Sequence, residues 1–356
     1  MPVKVISPIT LVIVILSAIS SSLPAVADHH VEHKDVNDLT PSSPLYRDPV
    51  FAGAADPTVF YNHKEKQWWM LYTQRRANAD NTYKLSWVHG TQIGVASSPD
   101  NGRNWKYRGT LPLSLEPGHN TYWAPEMFFE GGEYHMFVSF VQGIPVHDYM
   151  DEHKIAYLKG KNPWAMKFVG YADLDSNRVI DPSVIKLKDG TWRMWFKAEN
   201  AGYVTHYADS KNLKTWTRKG PAIGDKKCEG ANIFYWQDKY WMVVDPWEGL
   251  ALYSSTNATD WVFERNLLRG KGQRKEDSGK GHHPGVVVQG EYAFIFYHTN
   301  PQEEFVPEMD WEKIKFPQRR SLIQVARMRL VDNKVVVDRD TPFALDLSFQ
   351  SDPKRY

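Results

Sequence analysis

The feature that most limits the fold of this chain is a unit that occurs five times between residues 56 and 298. Each unit begins with a charged residue, followed by a short apolar strand, a turn and a second strand rich in aromatic residues. A third strand follows in every unit, a fourth in most, and helical periodicity is almost absent. Short strands that repeat every 50 residues or so are typical of propeller blades. The pattern predicts an all-β, five-bladed β-propeller with four antiparallel strands per blade.

The composition agrees with a folded globular protein and argues against nucleic acid as a partner. The 356 residues are 42% hydrophobic and 24% charged, which is ordinary for a globular chain. The 43 Lys and Arg residues nearly balance the 42 Asp and Glu residues, for a net charge of +1. No basic excess exists to neutralise a phosphate backbone. Cys228 is the single cysteine, so no intrachain disulfide can form.

The first residues have the pattern of a secretory signal peptide. Lys4 precedes the apolar stretch Ile9–Ile19, and Ala25-Val26-Ala27 fits the small-residue rule for cleavage. We therefore expect a secreted or periplasmic protein without membrane association after cleavage; an uncleaved N-terminal anchor is the alternative. The predicted organisation is a signal peptide at 1–27, an N-terminal extension at 28–47, a propeller catalytic domain at 48–345 and a C-terminal tail at 346–356.

The residues that begin the five units are predicted to meet at the central funnel, because the innermost strands of a propeller surround its axis. They are Asp56, Glu126, Asp181, Glu229 and His283. Carboxylates held together repel each other, so fold stability alone does not explain them. Glycoside hydrolysis needs such a set: one carboxylate to activate water, and one protonated carboxyl to protonate the leaving oxygen. Taken singly, an Asp-Pro pair at a strand entry also fits ordinary turn chemistry.

Further residues near the predicted funnel are candidates for binding sugar or metal. Trp123 and Trp247 offer flat faces for sugar stacking, with core packing as the alternative. The basic residues suggest an acidic sugar, because guanidinium groups pair with carboxylate and sulfate. His282 and His283 are candidates for holding a metal ion, directly or through water. The predicted substrate-binding set is Arg76, Trp123, Glu126, Lys197, His206, Trp247 and His298.

Five short motifs, one per unit and in order, resemble glycoside hydrolase family 43, the propellers of the arabinanase and xylosidase type. They are Ala55-Asp56-Pro57, Trp123-Ala124-Pro125-Glu126, Ile180-Asp181-Pro182-Ser183, Glu229-Gly230, and Gly281-His282 with the later Tyr297-His298. The resemblance covers about residues 48–337. Family 117, which acts on agar-derived anhydrogalactose, is a close neighbour with the same fold. The sequence departs from the family 43 pattern at Glu229-Gly230-Ala231, where Glu-Gly-Pro is commoner, and in its paired histidines.

The resemblance implies an inverting mechanism and a role for each acid. Asp56 would be the general base, Glu229 the general acid, and Asp181 the residue that orients and tunes Glu229. It also implies one divalent cation, calcium, at the propeller axis, beside His282 or else His283.

The sequence therefore predicts an exported glycoside hydrolase that cleaves oligosaccharides derived from plant or algal polysaccharides. Two alternatives stay open. One is a sugar lyase or dehydratase on the same scaffold, acting on uronate-containing oligosaccharides with a histidine or tyrosine as base or acid. The other is a carbohydrate-binding propeller without catalysis. The charged segment 269–281 is either a solvated connector or a lid over the funnel, and the oligomeric state is left open.

Overall fold

Antiparallel sheets account for nearly all of the regular structure. The computed structural model describes Met1 and residues 39–79, 86–145, 152–301 and 314–348. Within these residues twenty strands form five four-stranded sheets, and in each sheet the strands are neighbours in chain order. The prediction of a five-bladed β-propeller with four antiparallel strands per blade is confirmed.

Each blade is built from one continuous stretch of chain. Blade one contains β1 Ala54–Asn62, β2 Gln67–Gln74, β3 Gln92–Ser98 and β4 Lys106–Thr110. Blade two contains β5 Thr121–Glu130, β6 Glu133–Val141, β7 His153–Gly160 and β8 Lys167–Tyr171. Blade three contains β9 Val179–Lys186, β10 Trp192–Ala198, β11 Val204–Ser210 and β12 Thr217–Pro221. Blade four contains β13 Glu229–Trp236, β14 Lys239–Asp245, β15 Leu250–Ser255 and β16 Val262–Leu267. Blade five contains β17 His282–Gln289, β18 Tyr292–Thr299, β19 Leu322–Val331 and β20 Lys334–Val337. Two short helical segments, Pro163–Ala165 and Phe316–Arg319, lie between strands.

Apolar and aromatic residues explain how the blades stack. The inner strands are buried on both faces, as in β2 (QWWMLYTQ), whereas the outer strand β4 has no buried residue. Each of five buried apolar clusters joins two neighbouring blades, and one of them joins blade five to blade one. At about 25 cal/mol per Å² of buried apolar surface, these interfaces are the main stabilising contribution to the ring.

A β-bulge interrupts the first strand of every blade and sets which residues are equivalent. The residue at the bulge has a positive φ in each blade: Asp56 (52°), Ala124 (45°), Asp181 (60°), Gly230 (59°) and His283 (38°). A proline follows the bulge residue in four blades, which is one of the few places where a strand tolerates the missing N–H. The predicted equivalence of the five unit-starting residues is thus wrong for two of them. Glu126 lies two residues after its bulge, and Glu229 lies one residue before.

Segments from both ends of the described chain close the ring between blades five and one. Tyr46 pairs with Ile323, and Gly53 pairs with Ser321. On the same side, Leu347 N–H donates to the carbonyl oxygen of Asn101 at 3.0 Å. No strand is exchanged between these two blades in the described residues, so short bridges and side-chain packing hold the seam.

The segment 269–281 is fixed to the body of blade five. Asp277 is fully buried and accepts hydrogen bonds from Arg274, Tyr297 and Arg339 at 2.7, 2.9 and 3.0 Å. These hydrogen bonds favour the interpretation of segment 269–281 as a connector over its interpretation as a lid. The predicted signal peptide lies outside the described residues, as do the extension up to residue 38 and the tail from residue 349. None of the helices in the described part of the chain is long and apolar enough to cross a membrane.

Candidate active site

Asp56 lies at the bulge of blade one, and three basic side chains surround its carboxylate. Arg75 Nη2 is 3.1 Å from Asp56 Oδ1. The Nδ1 atoms of His283 and His298 are 3.4 and 3.6 Å from the same oxygen. Burial, followed by the charge of Arg75, lowers the pKa of His298 well below its ordinary value. His298 is therefore neutral, and the positive charge beside Asp56 comes from Arg75 and His283.

Asp181 lies at the bulge of blade three in a fully enclosed position. Its N–H donates to Ser139 Oγ at 2.9 Å, and its Oδ2 accepts the N–H of Gly230 at 3.1 Å. Burial raises the pKa of the Asp181 carboxyl to about 7; the charge of Glu229 adds to this effect and that of His283 opposes it. Asp181 therefore retains a proton up to near-neutral pH.

Glu229 is the most solvent-accessible of the three predicted catalytic acids. Its side chain is 26% exposed, against 5% for Asp56 and Asp181. Lys197 Nζ donates a hydrogen bond to Glu229 Oε2 at 2.9 Å. Burial would raise the pKa of Glu229, but the charge and hydrogen bond of Lys197 outweigh it and lower the pKa to about 2. The two carboxyls are thus shifted in opposite directions, with the pKa of Asp181 raised and that of Glu229 lowered.

Lys197 belongs to a chain of buried charges that leads away from the funnel. Its Nζ is also 3.3 Å from Glu199 Oε1. Glu199 Oε2 is in turn 2.6 Å from His153 Nδ1 and 3.5 Å from Arg178 Nη2. Burial alone would lower the pKa of Lys197, but the neighbouring carboxylates, of which Glu229 has the largest effect, raise it above its ordinary range. Lys197 is therefore an ammonium ion shared by Glu229 and Glu199.

The position of Lys197 is unusual because four other blades have a hydrogen-bond acceptor there. In each of these blades, one residue of the second strand pairs with the residue just before the bulge. The side chain of that second-strand residue accepts a hydrogen bond from the backbone N–H of the bulge residue in the next blade. The donor–acceptor pairs are Ala124–Thr73 (2.8 Å), Asp181–Ser139 (2.9 Å), His283–Asp245 (3.1 Å) and Asp56–His298 (3.4 Å). Lys197 is the equivalent residue of blade three, and an ammonium ion cannot accept. The N–H of Gly230 donates to Asp181 instead.

His283 connects the three acids. Burial would lower the pKa of its imidazole, but the carboxylates of Asp56, Asp181 and Glu229 raise it above its ordinary value. His283 Nδ1 thus contacts Asp56, its ring lies against Gly230, and the charges of Asp181 and Glu229 also act on it. Its charged form offsets part of their mutual repulsion.

The two predicted metal-binding histidines contact carboxylates. His282 Nδ1 is 3.0 Å from Asp245 Oδ2, and the ring of His282 stacks on that of His298 with centroids 5.4 Å apart. Among the described residues, no group of three or more His, Cys, Asp or Glu side chains is arranged to hold a metal ion. Calcium prefers six to eight oxygen ligands, and these imidazoles do not supply them. The divalent cation stays a prediction.

Glu126 makes a contact that other blades repeat. Its Oε1 accepts the N–H of Val184 at 3.4 Å, and its Oε2 accepts from Thr58 Oγ1 at 3.5 Å. At the equivalent positions, Ser183 and Asn232 accept the corresponding N–H of the next blade at 3.2 and 3.0 Å. Glu126 therefore ties neighbouring blades together, and its predicted role in substrate binding stays a prediction.

Two tryptophans flank the chain of buried charges. Trp247 places its ring centroid 5.3 Å from Lys197 Nζ. Trp123 lies near the other end, with its ring edge-on to His153 at 5.4 Å. Both rings are partly exposed, as a sugar-stacking surface requires.

Two predicted substrate-binding residues do not join the acids. His206 lies on the third strand of blade three, where Arg218 Nη2 is 3.1 Å from its Nδ1 and the carbonyl oxygen of Ala201 is 3.4 Å from its Nε2. That strand is separated from the axis by two others, and the role of His206 in substrate binding stays a prediction. Arg76 follows β2 and donates to the carbonyl oxygen of His89 at 3.3 Å.

Sequence reasoning missed Asp245 and His153 as parts of this site. Asp245 ends the second strand of blade four, the position that Lys197 and His298 occupy in their own blades, so a signal for it was present. His153 reaches the site from the third strand of blade two, and no repeat or motif marks it.

A propeller whose funnel holds several acids around one histidine has the architecture of a carbohydrate-cleaving enzyme. The family of glycosyl hydrolase 43-related domains, described as a "Probable glycosyl hydrolase domain", matches residues 27–275. This match spans more than half of the chain, so the protein belongs to that family and is a glycoside hydrolase. A search of curated proteins gives no match.

Solved structures of family 43 enzymes share the fold at low sequence identity. A thermostable family-43 glycoside hydrolase is 18% identical with a TM-score of 0.57, over 87% of this chain and 100% of that chain. The RS223 β-xylosidase is 13% identical with a TM-score of 0.59, over 83% and 99%. The GH43_1 enzyme from Xanthomonas citri, complexed with xylotriose, is 12% identical with a TM-score of 0.58, over 85% and 94%. At these identities the likeness concerns the fold.

Proposed function

We propose that the protein hydrolyses glycosidic bonds in plant or algal oligosaccharides with inversion, using Asp56 as general base and Glu229 as general acid. The observation that carries this proposal is the way His283 links the acids: its Nδ1 lies 3.4 Å from Asp56 Oδ1, and its ring lies against Gly230, which follows Glu229 and donates its N–H to Asp181 at 3.1 Å. The different exposure of the acids fits their roles. The enclosed Asp56 suits the activation of one held water, and the accessible Glu229 suits a leaving group that departs towards solvent.

The proposed reaction is a single displacement. Asp56 removes a proton from water while the water oxygen attacks the anomeric carbon, and the bond from that carbon to the leaving oxygen breaks. Glu229 donates its proton to the leaving oxygen. The proton taken up by Asp56 returns to Glu229 through solvent. Arg75, 3.1 Å from Asp56 Oδ1, orients the carboxylate for this step.

The charge balance of the funnel favours a neutral sugar. Arg75 is paired with Asp56, and Lys197 with Glu229 and Glu199. An acidic substrate would have to compete with these carboxylates for their cations. We therefore favour neutral oligosaccharides; the xylotriose of the Xanthomonas citri complex is one to test first.

The test is to incubate the mature protein with neutral and uronate-containing oligosaccharides and follow the products by mass, ultraviolet absorbance and the anomer first formed. We expect cleavage with the gain of one water and an inverted anomer. Asp56→Asn and Glu229→Gln should be inactive while folded. A retained anomer, or normal turnover in either variant, would refute the assignment.

A second candidate, elimination rather than hydrolysis, has one observation in its favour. Lys197 holds Glu229 as an anion, which suits a base better than an acid, and the cationic form of His283 offers a proton donor. A new absorbing double bond, or the loss of water without cleavage, would identify this reaction.

We also propose that the protein is exported. The support is the predicted signal peptide at 1–27. Expression with the leader, followed by N-terminal sequencing of the mature chain, should give Asp28 as the first residue.

A further inference from the structure

Blade three breaks a rule that the other four blades obey. Thr73, Ser139, Asp245 and His298 each accept a bulge N–H from the next blade. Lys197 stands at the same position and donates to Glu229 instead. A buried cation therefore lies against the residue that must hold a proton for general acid catalysis.

This contact opposes the proposed chemistry. An ammonium ion 2.9 Å from Glu229 Oε2 favours the carboxylate over the carboxylic acid. The cation is not lost by deprotonation, because its carboxylate neighbours favour the charged form. Glu229 can act as an acid only when the ammonium is elsewhere. The charged groups that act on Glu229 or on its partners Asp181 and Lys197 are Asp56, Asp181, Lys197, Glu199, Glu229 and His283. Trp247 also donates a hydrogen bond to Glu229, and the charge of Glu229 acts on the buried Cys228 thiol.

A second position for the ammonium is already present. Glu199 Oε1 lies 3.3 Å from Lys197 Nζ, so a small movement of Nζ would exchange one carboxylate for the other. His153 and Arg178 hold Glu199 Oε2 at 2.6 and 3.5 Å, so Glu199 stays fixed while Lys197 moves.

We propose that Lys197 is a positioning residue that moves from Glu229 to Glu199 when substrate binds, so that Glu229 can take up the proton that it donates to the leaving oxygen. This inference rests on the proposed hydrolytic function and adds the step that prepares the acid. The two contacts of Lys197 Nζ, 2.9 Å to Glu229 Oε2 and 3.3 Å to Glu199 Oε1, are the start and the end of this movement.

The test compares pH profiles of kcat for Lys197→Met, Glu199→Gln and the double variant. In Lys197→Met the alkaline limb should move to higher pH by about one unit or more, because an opposite charge is lost. In Glu199→Gln the limb should move to lower pH. Its maximal kcat should also fall by about tenfold or more even at low pH, because the ammonium has no second carboxylate to occupy.

The double variant separates movement from simple charge effects. If Lys197 blocks Glu229 when Glu199 is absent, adding Lys197→Met to Glu199→Gln should restore at least part of the lost kcat. The alkaline limb of the pH profile of Lys197→Arg should lie close to that of the wild type. Arg193→Met is the matched control: Arg193 is a buried cation near the opposite end of the same strand, paired with Asp209 at 2.7 Å, and its loss should leave the pH profile unchanged.

Two outcomes overturn the inference. One is a double variant no more active than Glu199→Gln; the other is an unshifted alkaline limb in both folded single variants. If Glu229→Gln retains normal turnover, the hydrolytic assignment itself fails. If Glu229→Gln is inactive and the limb does not move, only the role of Lys197 is refuted.

Discussion

The two sides of the funnel use the same kind of ion pair with opposite consequences. On one side Arg75 lies 3.1 Å from Asp56, and on the other Lys197 lies 2.9 Å from Glu229. A general base works as an anion, so the first pair stabilises the active form. A general acid works as the protonated carboxyl, so the second pair stabilises the inactive form. The effect of a nearby cation on catalysis therefore depends on whether the carboxylate acts as a base or as an acid.

The largest effect should come from removing each acid. Asp56→Asn and Glu229→Gln should each lower kcat by about 10³-fold on natural oligosaccharides, because each removes one proton transfer. Only Glu229→Gln should recover on aryl glycosides whose leaving group needs no proton. Steady-state kinetics on both substrate types checks this. Equal recovery in both variants would mean that the base and the acid are not distinct.

A smaller effect should separate the two cations. Arg75→Met should lower kcat by about tenfold to a hundredfold, because Asp56 loses the side chain that orients it. The alkaline limb of its pH profile of kcat should stay in place, whereas that of Lys197→Met should move. The pH profiles of the two variants, measured with one substrate, make the comparison. Indistinguishable profiles would contradict the proposed asymmetry.

Two of the bulge N–H groups donate to hydroxyl oxygens; both hydrogen bonds should matter for stability, and only the one to Ser139 for activity. Ser139→Ala and Thr73→Val each remove the acceptor of a buried bulge N–H, at a cost of about 1–3 kcal/mol in the free energy of unfolding. Ser139→Ala should also lower kcat, because that N–H belongs to Asp181. Denaturant unfolding with parallel kinetics checks both. Equal activity loss in Thr73→Val would assign the effect to general destabilisation.

The smallest effect concerns stability against pH. The pKa of Asp181 is raised from its usual value near 4 to about 7, so the folded state binds the extra proton and stability falls as pH rises through this window. Asp181→Asn should flatten that decline. Unfolding curves at several pH values measure the slope. An unchanged slope would mean that other groups take up the proton.

The repeated strand pattern was enough to predict the fold, because every blade contributes the same local signal. It was harder to predict which residues of different blades are equivalent. Aligning the units on their charged residues put Glu126 beside Asp56 and Asp181, whereas aligning them on Pro57, Pro125 and Pro182 gives the observed bulges. A proline marks the backbone irregularity itself, and a charge does not.

The contacts between blades could not be predicted in the same way. Whether Lys197 contacts a sugar or Glu229 depends on the bulge and on the packing of neighbouring blades. Neither of these can be derived from the local spacing of residues in the sequence. His206 lies on a third strand and contacts Arg218 rather than an acid, a partner that its place in the repeat did not indicate. Local patterns identified the residue types, and packing decided their partners.

The seam between blades five and one has a consequence for how activity arises during folding. Asp56 and Arg75 come from the first blade, and His283 and His298 from the last, so residues more than 200 positions apart must meet across this seam. Such distant contacts form late, because closing a long loop is entropically costly. The catalytic base acquires its partners only when the ring closes. A chain that ends before blade five should therefore be inactive. During refolding, the appearance of catalytic turnover should report that blades five and one have closed the ring.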